Sequence, residues 1–236
     1  MINTQAIFNI QSEQEFNTMA LDIFNYQFKN NNVYRSFCDL LYKHPCDVKT
    51  IQDIPFLPIQ FFKTHDILSF QNAIQTTFTS SGTTGSMTSK HLVTDLDIYK
   101  TSFTKGFETV YGAIEDYVIL ALLPSYLERE GSSLIYMVNA MIKQTKHPES
   151  GFYLNNISEL KNTLIKLDSQ GKKILLIGVS FALLDLIETY PFQLQNTIIM
   201  ETGGMKGRRK ELIREELHRT LKQGFEIGRA SCRERV

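Results

Sequence analysis

The sequence contains no tryptophan, only three cysteines in 236 residues, and no excess of either charge. The cysteines Cys38, Cys46 and Cys232 are odd in number and lack metal-ligand spacing, so neither a disulfide framework nor a zinc site is expected. Basic and acidic residues number 25 each, which argues against a surface built for nucleic acid. The interpretation that follows is a reduced protein of the cytoplasm.

Long apolar runs are also missing. No stretch approaches the roughly 20 residues that cross a bilayer, and the opening MINTQAIFNI lacks the basic and apolar regions of a signal peptide. We therefore expect no membrane span. With 42% hydrophobic and 21% charged residues, the composition is typical of a globular protein, and the length suffices to bury a sizeable core.

What the chain does contain is an alternation of helical and strand-like patterns. Residues 12–29 and 32–43 have apolar side chains at helical spacing. The prolines that follow prevent a continuous helix, so residues 54–62 are expected to form an extended, buried connector. The remaining segments with a helical pattern are 94–111, 132–145, 157–169, 181–188 and 208–222.

Almost wholly apolar segments at 117–124 and 172–179 predict strands buried on both faces. Residues 196–204 predict a third strand, which ends in glycines. Because helices separate them, parallel βαβ units are expected. The sequence therefore predicts an α/β fold, a mostly parallel sheet flanked by helices, after a helical N-terminal segment. A domain boundary near residue 75 is only weakly marked.

A loop rich in glycine, serine and threonine follows the β-branched strand pattern IQTTFT. It comprises Thr79, Ser80, Ser81, Gly82, Thr83, Thr84, Gly85 and Ser86, with Lys90 soon after. Consecutive amides in such a turn form an anion-binding concavity, and a nearby lysine can neutralise phosphate. The loop matches neither the Walker A pattern nor the dinucleotide fingerprint. From composition alone, a phosphate cradle and an ordinary polar turn both stay open.

A second candidate site is the segment Glu201–Lys206, which ends the last predicted strand in two glycines. Open parallel sheets bind ligands at the carboxyl ends of their strands, although a simple strand-to-helix turn is the alternative. The basic residues Lys206, Arg208, Arg209 and Lys210 could contact phosphate. Their alternation with glutamates favours a solvated helix face instead. The five histidines are scattered, and none forms a metal pair.

Several segments carry a resemblance to a known family. The run TSSGTTGS with its following lysine resembles the phosphate-binding motif of the adenylate-forming (ANL) superfamily. More narrowly, the chain resembles the acyl-protein synthetases of bacterial bioluminescence, the LuxE-type long-chain-fatty-acid ligases, from its first helix to Gly224. The segments that support this are ALDIFNYQ, IPFLPIQFFKTHDI, LLPSYLEREGSSLIYMV, LIGVSFALLDL and ETGGMKGRR.

The resemblance implies the N-terminal large domain of an adenylate-forming enzyme that uses ATP and Mg²⁺. Thr79–Ser86 and Lys90 would hold the phosphates, and Gly203, Gly204 and Met205 would lie against the adenine. The implied substrate is a carboxylic acid, a long-chain fatty acid, which becomes acyl-AMP and passes to a protein thiol. Acyl reductase and transferase subunits would be the partners. A phenylacetate-type acyl-CoA synthetase and a non-catalytic nucleotide- or acyl-binding module are the alternatives.

The end of the sequence departs from the family. From Glu226 it lacks any periodicity and resembles the translation of a sequencing adapter, so we expect 1–225 to be an incomplete acyl-adenylating domain and 226–236 a non-native tail. A genuine basic tail is the alternative. The family's aromatic-Gly-x-Thr-Glu motif, ribose-binding aspartate, lid lysine and acyl-accepting cysteine match no residue here. Accordingly we assign no catalytic residue and no metal ligand, and expect the chain to be inactive or nearly so.

Overall fold

The structure, a computed structural model, describes residues 2–69, 73–80, 87–124, 131–203, 205, 209–210 and 212–226. The chain divides into two compact units, Met1–Lys105 with Gly131–Ser133, and Gly106–Glu130 with Leu134–Val236. The division falls inside helix α5 (Leu96–Tyr111) and not near residue 75. Within the described ranges, no helix is both long enough and apolar enough to cross a membrane.

The first unit opens with three helices, α1 (Thr4–Ile7), α2 (Glu13–Asn30) and α3 (Asn32–Leu40). Ser12 caps α2, because its hydroxyl oxygen accepts a hydrogen bond from the Glu15 amide at 3.2 Å. Asn31 caps α3, because its side-chain oxygen accepts a hydrogen bond from the Tyr34 amide. These helices confirm the two helical predictions. Their shared core consists of Phe24, Phe28, Tyr34, Cys38 and Val48.

The predicted extended and buried connector at 54–62 is wrong in part. Ile54 and Leu57 do pack against the core of α2 and α3. Phe56 and Ile59, however, are each 74% exposed, and the chain turns into the short helix α4 (Phe61–Thr64). The prolines prevent a long regular element, so apolar residues here alternate between the core and solvent.

The first unit also contains a two-stranded antiparallel sheet of β1 (Thr76–Thr79) and β2 (Lys90–Val93). The strand expected before the Gly/Ser/Thr loop is therefore confirmed. β2 was not predicted, because its four residues are too few to show a period.

The second unit is built on a parallel sheet with strand order β4-β3-β5-β6. Every residue of β3 and β5 is buried, as expected for strands covered on both faces. The sheet confirms the α/β class, although the two-residue β4 was not foreseen. The strands are β3 (Val118–Leu122), β4 (Gly151–Phe152), β5 (Ile174–Val179) and β6 (Thr197–Thr202). The helices that follow them are α6 (Ser133–Thr145), α7 (Ile157–Ser169), α8 (Ser180–Thr189) and α9 (Arg214–Gly224).

The last helix differs from its predicted bounds of 208–222 and begins six residues later. Gly224 is its final residue, and the left-handed conformation expected of a C-terminal glycine is found instead at Glu226, with φ 45°. A Cβ on Gly224 would lie 2.4 Å from Ile187 Cδ1. The glycine therefore permits close packing of α9 on α8. Phe225, which follows it, is fully buried and lies 5.2 Å from the Phe192 ring.

Candidate functional site

The predicted phosphate-binding loop joins β1 to β2. Of its residues the structure describes Thr79, Ser80 and the nearby Lys90, and Ser81–Ser86 lie outside the described part of the chain. Thr79 and Lys90 are register partners at the ends of the two strands. Both side chains are exposed. The pairing of the two strands thus places Lys90 beside the residue where the loop begins. Lys90 is therefore close to the loop in space although it lies five residues after Gly85 in the sequence.

The base of this loop is closed by a pair of serines. The Ser80 amide donates to the Ser89 carbonyl at 3.1 Å, and the Ser89 amide donates to the Ser80 hydroxyl oxygen at 3.0 Å. The Ser80 side chain therefore has a structural task at the loop base. Its hydroxyl hydrogen is not used in that contact.

Gly131 contacts the start of the same loop. Its carbonyl accepts the Thr79 amide at 2.8 Å. Its φ is +74°, and a Cβ at this position would lie 3.1 Å from Thr79 Oγ1. Glycine is needed here both for the left-handed backbone and for the close approach. Nearby, the Tyr99 hydroxyl donates to the Ser133 carbonyl at 3.0 Å, and the Tyr99 ring lies 5.3 Å from that of Phe78 in β1.

The second candidate lies at the carboxyl edge of the parallel sheet, where β6 ends. Gly203 is exposed and has φ +85°, a left-handed conformation that favours glycine. Met205 is only 1% exposed, so its side chain faces the protein interior. Gly204 and Lys206 lie outside the described residues.

Three oxygen-bearing groups meet at this edge of the sheet: the Ser180 hydroxyl, the Glu201 carboxylate and the Gly203 carbonyl. The Ser180 hydroxyl is 1% exposed. It donates to the Glu201 carboxylate and lies 3.1 Å from the Gly203 carbonyl oxygen. Ser180 directly follows β5 and Glu201 lies in β6, so neighbouring parallel strands bring them together.

The strand order identifies where a ligand is expected on such a sheet. After β3 the chain first builds β4 on one side, then crosses to build β5 on the other. The carboxyl ends of β3 and β5 therefore flank a topological switch point, where open α/β sheets bind their ligands. Ser180 directly follows β5 at this position.

A family model described as acyl-protein synthetase, LuxE, matches residues 5–232. The chain belongs to the LuxE acyl-protein synthetase family. A relative in Photorhabdus luminescens, a long-chain-fatty-acid–luciferin-component ligase, is 38% identical over 68 residues. That alignment covers 28% of this chain and 58% of the relative. The family match continues past Gly224, where the resemblance noted in the sequence ends.

Within this LuxE-family chain, the predicted basic helix face after β6 is wrong for Arg209, which precedes α9. Its Nη1 and Nη2 donate to Glu188 at 2.7 and 2.6 Å, and its Nε donates to Asp185 at 3.0 Å. These hydrogen bonds lower the pKa of Glu188. Arg209 therefore anchors the segment after β6 to α8. Lys206 and Arg208 lie outside the described residues.

Sequence reasoning missed two residues of the LuxE-family candidate site. Neither Gly131 nor Ser180 is among the candidate residues that the sequence indicates. Ser180 could have been found, because it follows an apolar strand directly. Gly131 could not, since its partner Thr79 is distant in sequence.

Metal ligands were not expected in this LuxE-family chain. Among the described residues, no group of three or more His, Cys, Asp or Glu side chains is placed to hold a metal ion. Mg²⁺ commonly binds proteins together with substrate phosphates rather than in a dedicated cage. It would then arrive with the nucleotide.

Proposed function

We propose that this chain provides the ATP-binding part of an enzyme that activates a long-chain fatty acid and passes it to a protein thiol. In the first step a carboxylate oxygen attacks the α-phosphorus of ATP, and the bond to pyrophosphate breaks to give acyl-AMP. In the second, a thiolate attacks the acyl carbon and AMP leaves. Mg²⁺ would offset the polyphosphate charge.

The β1–β2 hairpin carries this proposal. It presents an exposed Lys90 directly opposite Thr79, at the base of a loop with two glycines and several hydroxyl groups. A lysine beside a turn of backbone amides is suited to the β- and γ-phosphates. Thr79–Ser86 with Lys90 would hold them, while Gly203, Gly204 and Met205 would support the adenine at the sheet edge.

Family membership supports the reaction class, and the name of the Photorhabdus luminescens relative supports a fatty acid as the substrate. As the family resemblance implies, we also propose that the protein works with acyl reductase and transferase subunits, in the cytoplasm. Since the sequence matches neither the family's magnesium-binding glutamate nor its lid lysine, we propose that this chain alone is inactive or nearly so in forming acyl-AMP. Positioning and charge neutralisation remain, but they are only part of the catalytic set.

The test is single-turnover formation of acyl-AMP from MgATP and a radiolabelled long-chain fatty acid, followed by acid quench. We expect saturable ATP binding and a fatty-acid-dependent product that forms much more slowly than with the Photorhabdus luminescens ligase. Failure to bind ATP would contradict the proposal as a whole. Acyl-AMP formation as fast as that of the relative would contradict only the proposal that this chain has little activity by itself.

Two further outcomes separate the alternatives. Added coenzyme A that converts the product to acyl-CoA would favour a phenylacetate-type synthetase. ATP binding with no acyl-AMP, even when the family's aromatic-Gly-x-Thr-Glu motif and lid lysine are supplied, would favour a non-catalytic nucleotide- or acyl-binding module.

A further inference from the structure

We propose that Tyr99 is a positioning residue of the β1–β2 hairpin, because its hydroxyl fixes the segment against which the Gly/Ser/Thr loop begins. That segment is Gly131–Ser133, and we call it the strap. The inference rests on the proposed binding of ATP phosphates by the hairpin. It adds a residue of α5 that acts on the ligand only through the loop.

The strap lies directly against the first residue of the loop. The Gly131 carbonyl accepts a hydrogen bond from the Thr79 amide at 2.8 Å. A Cβ on Gly131 would lie 3.1 Å from Thr79 Oγ1, so the two backbones approach closely. Any displacement of the strap therefore changes the hydrogen bond that holds the loop at its start.

Tyr99 holds the other end of the strap. Its hydroxyl donates to the Ser133 carbonyl oxygen at 3.0 Å. Ser133 is also the first residue of α6, and its carbonyl is one that accepts a hydrogen bond within the helix. A carbonyl oxygen has two lone pairs, so both bonds can form. The Tyr99 bond is thus not needed to satisfy the helix backbone, and its effect is to fix the strap relative to α5.

Helix α5 is itself attached to the hairpin. Gln75, directly before β1, accepts the Leu96 amide at the start of α5 through its side-chain oxygen at 2.9 Å. One turn later, the Tyr99 ring lies 5.3 Å from the ring of Phe78, a side chain that is only 7% exposed. Such ring pairs add to the free energy of burial. Tyr99 therefore contacts β1 through its ring and the strap through its hydroxyl, and both contacts lead to Thr79.

This arrangement would preorganise the loop for a polyphosphate. The Ser80 and Ser89 hydrogen bonds close the base of the loop, and the strap holds the Thr79 amide. A loop that is already held at its base loses less conformational freedom when it closes on a ligand. Without the Tyr99 hydroxyl, more of that ordering would have to occur during binding, and the affinity for phosphates would fall.

The experiment is calorimetric titration of the full chain and of Tyr99→Phe with tripolyphosphate and with ATP, each with Mg²⁺. Tyr99→Phe removes the hydroxyl and keeps the ring. We expect both affinities to fall by the same factor, about fivefold, because both ligands bind through the same loop. Tyr153→Phe is the matched control. It removes another partly buried hydroxyl that donates to a backbone carbonyl, that of Glu149 at 2.6 Å, and it should change neither affinity.

Hydrogen exchange without ligand separates positioning from a general loss of stability. The Thr79 amide should exchange faster in Tyr99→Phe than in the unmodified chain. The amide of Phe28, in the core of α2 and α3 within the same unit, should exchange at an unchanged rate. Equal acceleration at the two amides would show general destabilisation and would overturn the inference.

A double variant tests whether Tyr99 acts through Gly131. In Gly131→Ala the added Cβ already disturbs the contact between the strap and Thr79. Adding Tyr99→Phe should then lower the tripolyphosphate affinity by less than about twofold further, because the two residues act on one contact. A further loss of about fivefold in the double variant would contradict the inference.

The remaining outcomes separate this inference from the proposed function. Equal affinities of Tyr99→Phe and the unmodified chain for both ligands would overturn the inference and leave the proposed function intact. A loss for ATP without a loss for tripolyphosphate would also overturn it, since the effect would then lie at the nucleoside. If the unmodified chain binds neither ligand, the proposed function fails and the inference fails with it.

Discussion

The two strand systems of this protein are stabilised in different ways. All residues of β3 and β5 are buried, whereas β1 buries only Phe78, and Thr79 and Lys90 at the loop end of the hairpin are exposed. Apolar burial stabilises the parallel sheet. The hairpin depends on backbone hydrogen bonds and on the close approach of Gly131. The parallel sheet thus supports the fold by burial, while the hairpin leaves polar side chains exposed beside the loop where we propose that a ligand binds.

Removing a core side chain from the sheet should have the largest effect on stability. Leu176 in β5 is 0% exposed, so Leu176→Ala leaves a cavity and should lower the free energy of unfolding by about 3 kcal/mol. Urea denaturation measures this change. Leu40→Ala, at a leucine that is 79% exposed, should change it by less than about 0.5 kcal/mol. Similar losses for the two variants would contradict a sheet stabilised by burial.

The next largest effect is expected where α7 joins β6. Asp168 is 5% exposed and accepts the amides of Gln195 and Asn196 at 2.9 and 2.8 Å and the Thr197 hydroxyl at 2.7 Å. Asp168→Ala leaves these donors unpaired and should cost about 2 kcal/mol.

Thermal denaturation of Asp168→Ala beside Asp116→Ala tests this. Asp116 is exposed and forms an ion pair with the exposed Lys173, so its loss should lower the midpoint far less. An equal decrease in the thermal midpoint of both variants would show that the buried hydrogen bonds of Asp168 stabilise the fold no more than the exposed ion pair of Asp116 does.

A glycine substitution should separate the hairpin from the sheet. Gly131→Ala places a Cβ against Thr79 in a left-handed backbone and should destabilise the hairpin locally by about 1–2 kcal/mol. Gly112→Ala is the matched control, because Gly112 has φ +86° with nothing within 4 Å of its Cβ position. Hydrogen exchange at the Thr79 amide should accelerate in Gly131→Ala and stay unchanged in Gly112→Ala. Faster hydrogen exchange at the Thr79 amide in both variants, or in neither, would show that the Gly131–Thr79 contact does not stabilise the hairpin.

The smallest expected effect is a pH dependence at α8. Arg209 lowers the pKa of Glu188 in the folded protein, so the ionised pair stabilises the fold above the ordinary carboxyl pKa of 4.5. That contribution should decline as the pH falls below about 4.5 and vanish below the folded pKa. Unfolding free energies between pH 7 and pH 3 should therefore decline less steeply in Glu188→Gln. Identical slopes in both proteins would contradict this.

Sequence patterns were sufficient for the elements that bury the most apolar area. β3 and β5 were predicted because short, almost wholly apolar runs suit strands covered on both faces, and β6 was predicted from a shorter apolar run that leads into glycines. The start of α9 was missed because charged residues from 208 onward continue a helical pattern, while Arg209 is instead engaged with α8. The short strands β2 and β4 are too short to show a hydrophobic pattern, and they form through pairing with β1 and β3.

Only part of the candidate site could be named from the sequence. Lys90 could be named from the loop beside it, since composition and order carry that signal. The contacts of Gly131 with Thr79 and of Ser180 with Glu201 depend on residues far apart in the chain. Such pairings arise from the register of strands and the return of loops, which a single sequence does not encode locally.

The central claim, that the β1–β2 hairpin binds the phosphates of ATP, is tested most directly by titrating MgATP into the full chain and into Lys90→Ala. The account predicts saturable binding that weakens about tenfold when Lys90 is lost. Lys49→Ala, at an exposed lysine in the same unit, should bind like the unmodified chain. Equal affinity of Lys90→Ala and the unmodified chain would contradict the claim.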